Sequence, residues 1–276
     1  MKNKKLKLHF RKEVLAFPYQ AVMVLFVIIP LILILVYAFT DANGSFTTEN
    51  FQALSNKVVW TTLGRSFFIA FMTTIICLLL AYPTALALTK VKANRRLLIL
   101  MAFVMPMWIN SLLRIYAVRL FYSDLLGMER GWLLTIIGSV YDYFPFMLLP
   151  IYTILQDMDK GLIEASNDLG ASPVRTFVKI RLPLSIPGIV SGILMVFMPM
   201  VSSFAIFDVL GYNGGSADSV LDGRLFGNLV YYYFEKGHYN DGSVFALILL
   251  VLIIISTVIS NIISKYTGER KGGTIA

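Results

Sequence analysis

The sequence has little charge and almost no cysteine. Charged residues make up 14% of the 276 residues, against roughly 25% in soluble proteins. The single cysteine, Cys77, cannot form an intrachain disulfide, and its place within an apolar run suits a small packing residue. His9 and His238 are far apart in the sequence and do not indicate a metal pair. A fold stabilised by disulfides is therefore excluded, and nothing supports a metalloenzyme.

The sequence also lacks the motifs of nucleotide-binding and hydrolytic enzymes. It contains no Gly-x4-Gly-Lys-Ser/Thr phosphate-binding loop, so it has no recognisable means of binding ATP itself. It contains no nucleophile elbow, no zincin motif and no Cys-x-x-Cys pair. We therefore expect that the chain is not an enzyme and that it binds no cofactor of its own.

Long apolar runs are what the sequence does have, since 57% of its residues are hydrophobic. A membrane-spanning helix needs about 20 apolar residues, and a soluble domain has no need of such runs. The fold class predicted is all-α: a polytopic membrane protein with six transmembrane helices in a single domain, 1–276. The spans are expected at about 17–39, 66–89, 97–121, 132–155, 184–207 and 244–264. Pro187 and Pro199 are expected to break the fifth span.

The distribution of basic residues predicts the orientation. Seventeen of the 24 lysines and arginines lie in the N-terminal segment, in residues 90–96, in the loop 156–183 and in the C-terminal tail. Six lie in the segments predicted on the opposite side. Because cytoplasmic loops are enriched in lysine and arginine, both termini and the loop 156–183 are predicted in the cytoplasm. The net charge of +8 thus reflects membrane orientation, and no nucleic-acid partner is expected.

One polar stretch, Glu164 to Pro183, interrupts the apolar runs and reads as a helix, a tight turn and a second short helix. Gly170 suits a helix C-cap, where a left-handed backbone favours glycine. Ser172 and Pro173 suit the N-cap and the first position of the next helix. Pro183 is expected to end that helix.

This stretch resembles the cytoplasmic coupling loop of ABC importer permeases. The residues that match its Glu-Ala-Ala, Gly and Ile-x-Leu-Pro positions are Glu164, Ala165, Gly170, Ile180, Leu182 and Pro183, with Ser166 in place of the second alanine. Three further segments, 114–117, 145–152 and 207–211, resemble permeases of polyamine importers, the PotB and PotH type. The resemblance implies a type I ABC importer permease in a bacterial inner or plasma membrane.

Membership of this family would imply a set of partners. The coupling loop would dock into a dimer of ATPase subunits, which would hold the ATP and magnesium. A second, PotC-like permease subunit and an extracytoplasmic polyamine-binding protein would complete the importer. Transport would proceed by alternating access.

Acidic residues at membrane depth are costly and are therefore candidates for a substrate path. Asp142, flanked by Tyr141 and Tyr143, is predicted in the outer half of the fourth span, and Asp208, after Phe207, at the outer end of the fifth. Carboxylates and aromatic faces suit a flexible polycation.

Other interpretations of these side chains remain open. Asp142 could instead pair with Arg114, and Asp208 could be a solvated residue at a helix end. The tyrosines at 231–233 could form either an interfacial belt or a contact surface for a binding protein.

Two alternative functions also remain open. The first is the same kind of permease for iron, sulfate or molybdate, because permeases for these solutes share the coupling loop. The second is a secondary transporter that runs on an ion gradient, which would need a proton or sodium site and no coupling loop.

Overall fold

The computed structural model describes residues 20–41, 43–211 and 224–272, without the side chains of residues 260, 261 and 263–272. Within these ranges the chain is helical, contains no β-strand and has an isolated bridge between Thr40 and Phe46. The basic residues 2–12 and most of the polar segment before residue 224 lie outside the described residues. The all-helical fold class predicted from the sequence is confirmed.

The helices follow one another with mostly short connections. They are α1 (Gln20–Ala38), α2 (Lys57–Lys90), α3 (Ala93–Trp108), α4 (Ser111–Leu125), α5 (Trp132–Gln156), α6 (Lys160–Asp168), α7 (Pro173–Ser202), α8 (Ala205–Leu210), α9 (Phe226–Glu235) and α10 (Tyr239–Gly272). A 3-10 helix, Glu49–Ser55, lies between α1 and α2. By length and composition α1, α2, α5, α7 and α10 can each cross a membrane, and α3 with α4 forms a sixth candidate span.

The third candidate span is bent by 96° between α3 and α4, so residues 97–121 are not one straight helix. Pro106 lies in the 3-10 turn that ends α3, and Ile109 has an extended backbone. Asn110 then caps α4, where its side chain accepts a hydrogen bond from the backbone N–H of Leu112 at 2.9 Å. A proline followed by a new N-cap ends one helix and starts another in a different direction.

The second span begins at Lys57, well before the predicted start at residue 66. The side chain of Asn56 caps α2 by accepting a hydrogen bond from the N–H of Val58 at 2.9 Å. The first turns of α2 carry Lys57 and Arg65, so a span predicted from apolar runs does not include them. Asn56, as the capping residue, marks the start of α2, whereas the hydropathy does not.

Pro187 and Pro199 do not break the fifth span, contrary to the prediction. α7 continues through both prolines and ends at Ser202. A proline removes one backbone hydrogen bond from a helix, and contacts with neighbouring helices hold the rest in place. The break falls at Ser203, whose backbone is extended.

Close contact between α5 and α7 forms the centre of the bundle. A Cβ atom added at Gly188 would lie 2.7 Å from the carbonyl oxygen of Pro150, and one at Gly192 would lie 2.6 Å from Sδ of Met147. Glycines four residues apart let two membrane helices approach closely. The buried hydroxyls of Tyr82 and Ser185, 3.0 Å apart, join α2 to the same helix.

Two buried clusters lie along this bundle. One contains Ile69, Leu134, Met200 and Leu210, among other residues of α2, α5, α7 and α8. The other lies toward α6 and contains Cys77, Met147, Ile151 and Val196. These clusters hold α2, α5 and α7 in a fixed arrangement.

The first helix, α1, packs chiefly against α10 and exposes most of its apolar side chains. Side-chain amides hold its C-terminal end through hydrogen bonds. Asn50 Nδ2 donates to the carbonyl oxygen of Thr40 at 2.8 Å, and Asn240 Nδ2 donates to that of Tyr37 at 3.0 Å. Because the last carbonyls of a helix lack partners within it, these amides satisfy groups that would otherwise be unpaired.

Candidate functional site

The turn between α6 and α7 has the conformation that its sequence predicts. Gly170 has a φ of +72°. The N–H of Gly170 donates to the carbonyl oxygen of Asn167 at 2.9 Å, and the N–H of Ala171 donates to the carbonyl oxygen of Ser166 at 3.1 Å. This pair of bonds is a Schellman motif, which satisfies the last carbonyls of α6. The predicted left-handed glycine is confirmed.

The start of α7 also follows the prediction. The side chain of Ser172 accepts a hydrogen bond from the N–H of Arg175 at 3.3 Å, and Pro173 occupies the first turn. The hydroxyls of Ser166 and Thr176, both buried, lie 2.9 Å apart and join α6 to α7 across the turn. Ser166, which departs from the alanine of the coupling-loop pattern, therefore has a structural contact of its own.

Pro183 does not end the helix that begins at Pro173, contrary to the prediction. The chain continues from an α-helical turn through a π-helical segment, Phe177–Arg181, into the long helix Leu182–Ser202. The N–H of Leu182 bonds to the carbonyl oxygen of Phe177, one residue further back than in an α-helix. This wider turn just before Pro183 accommodates a residue that has no N–H to donate. The predicted second short helix is thus the first part of the fifth span.

The remaining predicted coupling residues lie around this turn. Glu164, Ala165 and Pro183 are exposed, and Ile180 and Leu182 are half-buried. Glu164 lines a cleft of about 440 Å³ together with the basic side chains of Lys90, Arg96, Lys160 and Arg181.

Sequence analysis missed an exposed apolar set on this turn and on the helices that flank it. Leu169 is 88% exposed and Val174 is 71% exposed. Leu162 and Val178 are about half exposed. We call Leu162, Leu169, Val174 and Val178 the docking face. The signal for it is the presence of large apolar residues within a polar stretch, a pattern that marks interaction surfaces.

Asp142 is paired with Arg114. Oδ1 of Asp142 lies 2.7 Å from Nη2 of Arg114, and the two side chains are 7% and 6% exposed. Of the flanking tyrosines, Tyr141 is exposed and Tyr143 is half-buried. The pairing that the sequence left open is therefore present and joins α4 to α5.

Asp208 lies on α8, just beyond the break that ends α7. Its side chain is exposed, whereas Phe207 is buried and its ring lies 5.4 Å from that of Trp132. Arg130 donates to the backbone carbonyl oxygen of Asp208 at 3.1 Å. Neighbouring protein atoms partly desolvate the carboxyl and raise the pKa of Asp208, an effect opposed by Arg224 and by a hydrogen bond from Asn228.

The tyrosines of α9 lie near this break. The ring of Tyr231 stacks on that of Phe204, with centroids 5.1 Å apart, and Tyr231 remains about half exposed. Within the described ranges, no group of three or more His, Cys, Asp or Glu side chains is placed to hold a metal ion.

The turn between α6 and α7 is called the coupling turn below, after the loop that its sequence resembles. The fold and this turn together define a multi-pass membrane permease. Residues 10–271 match the family described as binding-protein-dependent transport system inner membrane component. The match covers more than half of the chain, and the chain belongs to this family of ABC importer permeases.

Curated relatives agree with this assignment. The spermidine/putrescine transport system permease protein PotB of Haemophilus influenzae is 36% identical over 215 residues, which cover 68% of this chain and 74% of the relative. The PotB protein of Escherichia coli K12 is 35% identical over 212 residues, which cover 68% of this chain and 77% of the relative. A PotB homolog of Mycoplasma genitalium is 28% identical over 234 residues, covering 77% and 79%. The resemblance inferred from the sequence is confirmed.

Solved structures share the fold. A chain of a bacterial alginate ABC transporter, in complex with a periplasmic protein bound to an alginate pentasaccharide, matches with a TM-score of 0.72 at 11% identity. The match covers 92% of this chain and 94% of that one. A chain of the MetNI methionine ABC transporter in an inward-facing conformation matches with a TM-score of 0.54 at 20% identity, covering 76% and 94%.

Proposed function

We propose that this chain is the transmembrane permease of an ATP-driven importer for polyamines such as spermidine and putrescine. The names of its curated relatives supply the substrate class. The partners are an ATPase dimer that holds ATP and magnesium, a second permease subunit and an extracytoplasmic polyamine-binding protein. The excess of lysine and arginine on one side supports cytoplasmic termini and a cytoplasmic α6.

The docking face is the observation that carries the coupling role. Leu169 and Val174 project large apolar side chains from a polar turn, where the rest of the chain leaves them exposed. Exposed apolar surface of this kind is stabilised when a partner covers it. We assign the ATPase as that partner, with Gly170 giving the close backbone approach at the centre of the contact.

The continuity of α7 supports a direct mechanical link. α7 runs for 30 residues from Pro173 to Ser202, a length of about 45 Å in α-helical geometry. One end of this helix is the coupling turn, and the other is the break before α8, which carries Asp208. Motion of the ATPase against the turn would therefore displace the outer end of the fifth span, as alternating access requires.

The two carboxylates suit successive steps of a polycation's path. Asp208 is exposed at the outer end and attracts an ammonium group without holding it tightly, since a hydrated ion pair contributes about 1 kcal/mol or less. Asp142 is buried and paired with Arg114, so an ammonium group that reaches it has to replace the guanidinium. Tyr141, which is exposed beside it, offers an aromatic face to the cation.

The coupling role is tested by charging the docking face. Leu169→Asp and Val174→Asp should abolish copurification of the ATPase and uptake of labelled spermidine into proteoliposomes, while membrane insertion stays normal. Asp168→Asn, an exposed position on the adjoining turn, serves as the control and should keep both activities. Normal ATPase copurification with either charged variant would refute the docking role.

The substrate class is tested separately in the same proteoliposomes. Unlabelled putrescine and spermidine should compete with labelled spermidine, whereas iron, sulfate and molybdate should not. Competition by one of these ions instead would identify the permease as one for another solute. Uptake that persists without ATP while an ion gradient is kept would identify a secondary transporter.

A further inference from the structure

The helix α3 stands apart from the rest of the bundle. None of its residues from Ala93 to Val104 is buried, although most of them are apolar. It meets α5 through the rings of Phe103 and Phe144, whose centroids are 5.5 Å apart. Two cavities lie along α3, and both are walled by α3 and α5. A membrane helix that leaves such gaps needs other atoms to fill them.

The first cavity, of about 440 Å³, is basic. Lys90, Arg96, Lys160 and Arg181 line it, and Glu164 is its carboxylate. Apolar side chains, including Leu86, Leu155 and Ile163, form the rest of its wall. Four cations facing one carboxylate leave an excess of positive charge that suits an anionic group. The cavity lies where α6 meets the ends of α2, α3 and α5.

The second cavity, of about 300 Å³, is apolar. Its lining consists of Leu100, Met101, Val104, Met105, Trp108 and Leu149. It lies further along the same two helices, because Leu100 is one turn beyond Arg96 on α3, and Leu149 is two turns before Gln156 on α5. α3 rises about 18 Å between Arg96 and Trp108, which is close to the roughly 15 Å of hydrocarbon in one leaflet.

We propose that this groove is a binding site for one anionic phospholipid. Its phosphate group occupies the basic cavity, and an acyl chain lies in the apolar cavity between α3 and α5. Basic pockets between membrane helices on the cytoplasmic side bind anionic headgroups, and the apolar continuation distinguishes a lipid from a soluble anion. A zwitterionic lipid would leave the excess positive charge uncompensated.

The site would connect lipid composition to the coupling turn. Lys160 and Glu164 belong to α6, whereas Arg96 belongs to α3, so one headgroup contacts both helices. The placement in the cytoplasmic leaflet rests on the proposed orientation, but the binding itself does not depend on the substrate or the direction of transport. A failure of lipid binding is therefore distinguishable from a failure of the proposed transport function.

The headgroup end is tested by lipid retention. The chain, with the subunits that copurify, is reconstituted in phosphatidylcholine with or without phosphatidylglycerol, extracted in mild detergent and examined by native mass spectrometry. About one phosphatidylglycerol per chain should remain bound. Lys90→Gln with Arg96→Gln should weaken retention about twenty-five-fold, since each cation contributes about fivefold.

Matched variants provide the control. Lys92→Gln with Arg95→Gln removes the same charge from the same loop, but neither residue lines the cavity, so retention should stay normal. Equal loss in both double variants would show diffuse surface attraction and overturn the site.

The acyl end is tested by filling the groove. Met101→Trp should reduce phosphatidylglycerol retention, whereas Ile99→Trp, on another face of α3, should not. Inorganic phosphate is then added as a competitor. Complete displacement of the lipid by phosphate, together with no effect of Met101→Trp, would show an anion site without a lipid chain and would overturn the proposal.

Discussion

Nη2 of Arg114 lies 2.7 Å from Oδ1 of Asp142, and both side chains are nearly inaccessible to solvent. This contact joins the bent third span to the fourth. Removal of one partner of a buried ion pair leaves a charge without compensation, which costs more than removal of both. The pair is therefore a structural link, and on the substrate path proposed above it would be the obstacle that a cationic substrate meets at Asp142.

Arg114→Gln should lower the stability of the solubilised protein by about 3–5 kcal/mol, because it leaves the buried Asp142 carboxylate without a compensating charge. The double variant Arg114→Gln with Asp142→Asn should lose less stability than Arg114→Gln alone. Denaturant unfolding of the purified protein measures both changes. If Asp142 also receives the substrate, the double variant should remain slow in spermidine uptake despite its recovered stability. Additive stability losses would show that the two side chains do not interact.

Gly170→Ala should weaken the coupling turn by about 1–2 kcal/mol, because a left-handed backbone is unfavourable for a residue with a Cβ. Gly170→Asn should be milder, since asparagine adopts this conformation more readily, and Gly170→Asp should also place a charge within the docking face. The amount of ATPase that copurifies should decrease in the order wild type, Gly170→Asn, Gly170→Ala, Gly170→Asp. Gly64→Ala, in open space within a helix, is the control and should have no effect. An Asp variant that couples normally would refute the role of this turn.

Asp208→Asn should slow polyamine uptake mainly at low ionic strength. Salt screens an exposed charge, since the Debye length falls from about 10 Å at 0.1 M to about 3 Å at 1 M. The difference between Asp208→Asn and wild type should therefore shrink as salt is added, whereas the effect of Asp142→Asn should persist. Because the pKa of Asp208 is raised, wild-type uptake should fall on acidification earlier than an ordinary aspartate predicts. Wild-type rates in both variants at all salt concentrations would remove the acidic path from the mechanism.

Cysteine accessibility tests the orientation. In a Cys77→Ala background, Lys92→Cys and Arg175→Cys should react with an impermeant thiol reagent only from the cytoplasm. Asn43→Cys should react only from outside, and so should Asp218→Cys, which lies outside the described residues. Cys77 is buried, so its replacement removes background without exposing a reactive group. The opposite labelling pattern would reverse the topology and contradict the importer.

Local capping signals were sufficient to predict the coupling turn. Gly170, Ser172 and Pro173 each have a backbone preference that acts within a few residues, and the structure follows all three. The fourth span, α5, also agrees with its apolar run to within a residue.

Features that depend on packing were not predicted. Whether Pro183 ends a helix depends on whether the turn before it can widen, and the sequence shows no sign of the π-helical segment. The partner of Asp142 was left open because Arg114 is distant in sequence and is brought close only by the bend between α3 and α4. The docking face was not predicted because apolar residues within a polar stretch can also pack inside the protein, and the exposure of these four becomes evident only in the fold.

The attachment of α1 has a consequence for biosynthesis. Its C-terminal carbonyls are held by Asn240, 203 residues beyond Tyr37, and its main packing partner is α10. At about 5–20 residues per second, translation needs on the order of 10–40 s to cover that interval. During that time α1 lacks its contacts with α10, and apart from local contacts such as that of Asn50 its high apolar content has to keep it inserted. A polar substitution in α1 should therefore be more harmful to the nascent chain than to the finished protein.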